Sequence, residues 1–82
     1  MKIIEMVVKS DCGLHARPAS DFTKKTKKYK CKITVSKDDR QANAKSIIDV
    51  LSLSVHCGET ISICFEGQDE ELAAKEMAEF SF

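Results

Sequence analysis

Apolar residues fall at every second position in three runs of the chain and at every third or fourth in three others. In the first run, Ile4, Met6 and Val8 share one face, so the segment Lys2 to Val8 reads as a strand. Residues 18–29 place Ala19, Phe22, Thr26 and Tyr29 at helical spacing, with lysines opposite and Pro18 in the first turn, where its missing N–H removes no hydrogen bond. Cys31, Ile33 and Val35 alternate with polar residues and predict a second strand. Asp38-Asp39 reads as a turn before a short edge strand at about 40–43. From Ser46 the pattern returns to helical, with Ile47, Val50, Leu51 and finally Ser54 on one face. Ser46 and Asp49 make an S-x-x-D start that resembles a capping box. Cys57-Gly58 ends that unit, and Ile61, Ile63 and Phe65 predict another strand. Gly67 and Asp69 open a last helix with Ala73, Met77 and Phe80 as its buried stripe. The order is βαββαβα. So few strands, with a hairpin in the middle, predict an α+β fold: one four-stranded antiparallel sheet with three helices on one face.

Composition adds bounds rather than detail. Eighty-two residues allow one core, and therefore a single domain over 1–82. The chain is 43% hydrophobic and 32% charged, an ordinary globular balance. No apolar run nears the roughly 20 residues of a membrane helix, so direct membrane insertion is not expected. The opening MKIIEMVVK alternates like a strand and lacks a signal peptide's apolar stretch. The expected compartment is the cytoplasm, with Cys12, Cys31, Cys57 and Cys64 as reduced thiols. Cys31 and Cys64 fit as small core or near-core residues.

Charge changes the picture more. The net charge is zero, yet residues 1–45 hold twelve Lys/Arg against five Asp/Glu, and residues 46–82 hold one against eight. The run KKTKKYKCK at 24–32 is either a solvated helix face or a docking surface for acidic partners. Nucleic acid is not expected, because the domain is neutral overall and offers only Tyr29 in this run for stacking.

The candidate chemistry lies in CGLHARPAS, residues 12–20. A helix that starts near Ala16 to Pro18 leaves its first N–H groups unpaired and presents the positive end of its dipole. A phosphate there gains both. Arg17 adds a cation with bidentate geometry for phosphate oxygens. His15 supplies an imidazole, with an unperturbed pKa of about 6.5, that is a neutral nucleophile near pH 7. A nucleophilic ring beside a phosphate cradle suits transient phosphohistidine chemistry. A histidine at a helix start is more commonly a cap or a surface residue, so the triplet alone suggests a phosphate site without establishing one.

GLHARPAS resembles the active-site signature of HPr, the histidine-containing phosphocarrier family of the bacterial phosphoenolpyruvate-dependent sugar phosphotransferase system. NAKSIIDVLSLSV at 43–55 is similar to that family's regulatory segment. The resemblance covers nearly the whole chain in length, motif order and element order. It implies an open-faced β-sandwich in which His15 takes phosphate on Nδ1 from phosphorylated enzyme I and passes it to a histidine of a sugar-specific IIA protein. By the same resemblance Arg17 holds the phosphoryl group, and Ser46 matches a serine phosphorylated by HPr kinase/phosphorylase in many Gram-positive relatives. Ile47, Ile48 and Leu51 match a shared apolar docking patch, and Ser20 and Lys24, on the helix after His15, complete the expected docking set. Ile47, Ile48 and Leu51 cannot all face the core of a short helix, so Ile48 at least is expected on the surface. The chain is then a carrier rather than a self-sufficient enzyme, needs no cofactor and is expected as a monomer.

Some positions depart from the family pattern. Cys12 stands where relatives usually carry a small polar residue, Asp49 and Ser54 where they often carry glycine, and Phe82 falls short of the usual C-terminal tail. Two alternatives stay within the resemblance: a regulatory relative that acts through Ser46 on a catabolite repressor, and a carrier in a nitrogen-type branch. A third lies outside it, a metal site from Cys12, His15, His56 and Cys57. Its spacing is loose and matches no standard zinc pattern, so no metal is expected.

Overall fold

A computed structural model describes residues 1–9 and 16–80 of the chain. The elements run β1 (Lys2–Val7), α1 (Ala16–Thr26), β2 (Lys32–Lys37), β3 (Arg40–Asn43), α2 (Ile47–Ser52), β4 (Thr60–Glu66) and α3 (Glu70–Met77). This is the predicted βαββαβα order. The strands form one antiparallel sheet in the order β1-β4-β2-β3.

The register explains why one face is dry. Ile4 lies opposite Ile63 and Met6 opposite Ile61; Val35 lies opposite both Ile63 and Ala42, and Ile33 opposite Phe65. Paired residues point to the same side of a sheet, so these alternating apolar positions add up to one continuous face. Ile33, Val35, Ile61, Ile63 and Phe65 are buried there, while Ile4 and Met6 pack half-exposed at its rim. The helices supply Ala19, Phe22, Val50, Ala73 and Met77 to the same core. Phe22 meets Phe80 edge-on, with ring centroids 5.7 Å apart and planes at 68°. Each fully buried side chain of this size is worth about 2 kcal/mol of transfer free energy. The opposite face carries Thr34 and Asn43 beside Cys64, and Ser36 and Gln41 beside Ser62, which is the open side of the sandwich.

Four local expectations need correction. First, α1 ends at Thr26, not Tyr29; Tyr29 is still buried, reached through a turn in which its N–H bonds to the Thr26 carbonyl. Thr26 Oγ1 lies 2.9 Å from the Thr23 carbonyl and 2.8 Å from the Ala44 carbonyl, so the buried hydroxyl ties the helix end to the segment before α2. Second, Ser54 is not on the buried face of α2. The chain leaves the helix with Leu53 buried and Ser54 exposed at φ +53°, so Leu53 takes the core position. Third, the Ser46 cap is half of a capping box. Its hydroxyl accepts from the Asp49 N–H at 3.4 Å, while the Ser46 N–H bonds to the Asn43 carbonyl and needs nothing from the Asp49 side chain. Fourth, α3 ends at Met77, so Phe80 lies beyond the helix and is half-buried, in place of the expected buried stripe residue; Asp69 does open the helix, but its carboxylate accepts the Lys30 and Cys31 N–H groups, each at 2.8 Å, and makes no cap bond.

Candidate functional site

His15 and Cys12 lie outside the described residues, so the site is defined by what frames the segment that carries them. On one side the frame is the end of β1. The Val8 N–H bonds to the Glu59 carbonyl at 2.9 Å, and the Val8 carbonyl accepts from the Gly58 N–H at 2.7 Å. The Cys57 thiol stands 3.9 Å from the Lys9 carbonyl. The turn 56–59, with Gly58 at φ +90°, therefore clamps the chain where it leaves the sheet. Glycine takes this left-handed conformation without steric cost.

That turn is organised by one carboxylate oxygen. Glu59 Oε1 accepts the His56 N–H at 2.7 Å, lies 3.1 Å from His56 Nδ1, and pairs with Lys37 Nζ at 3.0 Å. Lys37 also donates to the Ser54 carbonyl at 3.0 Å. The His56 N–H and the Lys37 ammonium hold the Glu59 carboxyl down at about 2. Glu59 belongs to no motif in the sequence; the signal available was its three-residue spacing from His56.

On the other side the frame is the start of α1. The helix begins at Ala16, immediately after His15, and has no acidic residue in its first turn to offset the dipole. Arg17 is exposed and Pro18 is half-buried in that first turn. Of the docking candidates, Ser20 is half-buried and its carbonyl accepts from Thr23 Oγ1 at 3.0 Å, while Lys24 is exposed. α1 packs against α2, which brings these positions onto a helix neighbouring Ile47, Ile48 and Leu51. Val50 alone of α2 is buried. Ile48 is 76% exposed, and Ile47 and Leu51 are 36% exposed each. The expectation that Ile48 lies on the surface holds.

Cys31 is buried, Cys64 is half-buried and Cys57 is exposed. No group of three or more His, Cys, Asp or Glu side chains among the described residues is placed to hold a metal. No helix among them is long and apolar enough to cross a membrane.

The fold and these positions can be set beside known proteins. The family model described as the PTS HPr component phosphorylation site matches residues 3–81. The chain belongs to the HPr family. It is 44% identical over 75 residues to the phosphocarrier protein HPr of Borreliella burgdorferi, covering 92% of this chain and 87% of that one. It is 37% identical over 76 residues to the HPr-like protein Crh of Halalkalibacterium halodurans, covering 93% and 90%. Among solved structures, HPr-C-His from Thermoanaerobacter tengcongensis superposes with a TM-score of 0.90 at 41% identity, covering 95% of this chain and 88% of that one. Both the family model and the relatives named phosphocarrier protein HPr place the chain in the HPr phosphocarrier family of the phosphotransferase system.

Proposed function

We propose that this HPr-family chain, as a single domain over 1–82, carries a phosphoryl group on His15 between enzyme I and sugar-specific IIA proteins. The P–N bond of a phosphohistidine on the donor breaks as a new P–N bond forms at His15 Nδ1, and the reverse exchange delivers the group onward. No small substrate turns over, so the chain is a carrier and not an enzyme in its own right. The observation that carries this reading is GLHARPAS, placed so that a helix without acidic residues in its first turn begins directly after His15, within a family match over 3–81. A phosphoryl group at that helix start gains free N–H donors and the dipole, and Arg17 adds a cation. Ile47, Ile48 and Leu51, exposed on α2, with Ser20 and Lys24 on α1, form the docking surface. Such a carrier works in the cytoplasm as a monomer, without nucleic acid, metal or other cofactor.

The test is intact-protein mass spectrometry after incubation with phosphoenolpyruvate and enzyme I. One phosphoryl group, labile to acid and stable to base, is expected, and His15→Ala is expected to abolish it while the domain stays folded. A His15→Ala protein that is phosphorylated at the native rate overturns the assignment.

The similarity to Crh of Halalkalibacterium halodurans favours one second reading: a regulatory role through phosphorylation of Ser46 by HPr kinase/phosphorylase, leading to a catabolite repressor. Ser46 is half-buried at the α2 N-cap. Phosphorylation by that kinase together with failure to accept phosphate from enzyme I selects this reading over the carrier one.

A further inference from the structure

A hollow of about 420 Å³ opens where β3 ends at Asn43 and the chain turns into α2, a part of the molecule for which the carrier reading has no use. Its floor is mainly backbone: Ile33, Ala42 and Cys31 border it and are each at most 5% exposed, with the Ile33 and Ala42 side chains turned to the core. Burial pushes the Cys31 thiol up to about 11, so the floor is also uncharged at neutral pH.

Three lysines line the hollow: Lys30, Lys32 and Lys45. None forms an ion pair with a carboxylate among the described residues. Lys45 Nζ is fixed by a 2.6 Å bond to the Tyr29 carbonyl, which uses one of its three N–H groups and leaves two. A cation held in this way loses little further freedom when it meets an anion. The remaining wall is neutral or acidic. Asn43 turns its amide oxygen to the Lys45 N–H at 3.0 Å, which leaves its NH2 as donor. Gln41 and the half-buried Thr34 add amide and hydroxyl groups, and Asp49 adds a carboxylate.

This donor set discriminates between ligands. A bare anion gains the lysines but faces Asp49 and fills little of a hollow whose volume lies in the range of small-molecule sites. An uncharged polyol gains Asp49 and the amides but leaves three cations unmatched. A molecule with both features uses the whole wall. We propose that the hollow binds a small phosphorylated polyol of the sugar-phosphate class, its phosphoryl group on the lysines and its hydroxyls on Asp49, Asn43 and Gln41. The site makes no use of His15 and stands or falls separately from the carrier function.

The experiment is a ¹H–¹⁵N NMR titration of the full chain at constant ionic strength with glucose 6-phosphate, glucose and inorganic phosphate. Saturable shifts confined to residues 30–34 and 41–49 are expected with glucose 6-phosphate, and weaker ones with either of the other two. Lys30→Ala with Lys32→Ala, both at exposed positions, is expected to weaken binding about tenfold or more, the size expected for lost charge-assisted hydrogen bonds. An unchanged urea midpoint shows that these variants keep the fold. Asp49→Asn is expected to weaken glucose 6-phosphate but not inorganic phosphate. The proposal is overturned by the absence of saturable shifts, by inorganic phosphate binding as tightly as the sugar phosphate, or by affinity that survives loss of both lysines.

Discussion

Two residues outside the phosphate chemistry carry more of the structure than their types suggest. Gly67 sits at φ +151°, and a Cβ built on it would lie 2.8 Å from Cys31 Cα and 2.9 Å from Cys31 Cβ. Neither neighbour is the tip of a flexible side chain, and Cys31 is buried with its N–H held by the Asp69 carboxylate. Gly67→Ala therefore combines backbone strain with a clash. It is expected to cost about 2 kcal/mol or more in urea unfolding; a loss below half of that in urea melts would show that the 66–69 turn shifts freely. Glu59 is the other. Its folded pKa of about 2 lies below the ordinary 4.5, so the folded protein holds its proton less tightly than the unfolded chain. The stabilisation is present above pH 4.5 and is lost as pH falls towards 2. Thermal melts across that window are expected to fall more steeply for the native protein than for Glu59→Gln; parallel curves would mean that the clamp on the 56–59 turn adds nothing to stability.

At the scale of elements, α2 is the informative one. It is six residues long and buries only Val50, so its stability comes from the Ser46 cap and the anchoring of Leu53, not from a wide apolar stripe. What it leaves outside is Ile48. An exposed isoleucine next to a lysine-rich helix has the anatomy of a transient interface. Ile48→Glu is expected to weaken binding to enzyme I by about tenfold, while the unfolding midpoint stays unchanged and His15 still accepts phosphate at saturating partner. Calorimetric titration with unchanged affinity would move the interface elsewhere. Asp49 bears on the same helix differently. A phosphoryl group on Ser46 would meet its carboxylate about 6 Å away across the first turn, a repulsion on the order of 1 kcal/mol per charge pair near a surface. Asp49→Gly is expected to raise the initial rate of Ser46 phosphorylation by HPr kinase several-fold; equal rates would show that solvent screens the pair. The cap itself does not depend on that carboxylate, since the Ser46 N–H already has the Asn43 carbonyl.

For the whole molecule, the charge division seen along the chain becomes a division between elements. Lys24, Lys25, Lys27 and Lys28 stand on α1 and the turn after it, and Glu70, Glu71, Glu76 and Glu79 on α3 and its end. A neutral domain built this way still presents a cationic helix end and turn to a partner, and charges of this kind act mainly on the association rate. Binding to enzyme I by stopped flow is expected to slow about tenfold or more between low salt and about 0.5 M salt. A salt-independent rate would assign recognition to the apolar residues alone.

The sequence by itself determined the element types and their order, because alternation in β1, β2 and β4 and the 3.6-residue spacing in α1 and α3 are local properties of the chain. GLHARPAS and the 43–55 segment also carry the family resemblance, and the exposure of Ile48 follows from simple geometry on a short helix. What only the tertiary structure decided depends on residues far apart in sequence. The strand order β1-β4-β2-β3 is settled by which apolar rows meet. Leu53, rather than Ser54, faces the core because the chain must leave α2 to reach β4. Asp69 spends its carboxylate on Lys30 and Cys31, 39 and 38 residues away, and not on its own helix. The hollow among Lys30, Lys32, Lys45 and Asp49 has no sequence signature, since its lining is gathered by the β2–β3 pairing and the fixed direction of α2. Periodicity reports the face a residue occupies within its element; only packing decides which other element that face meets.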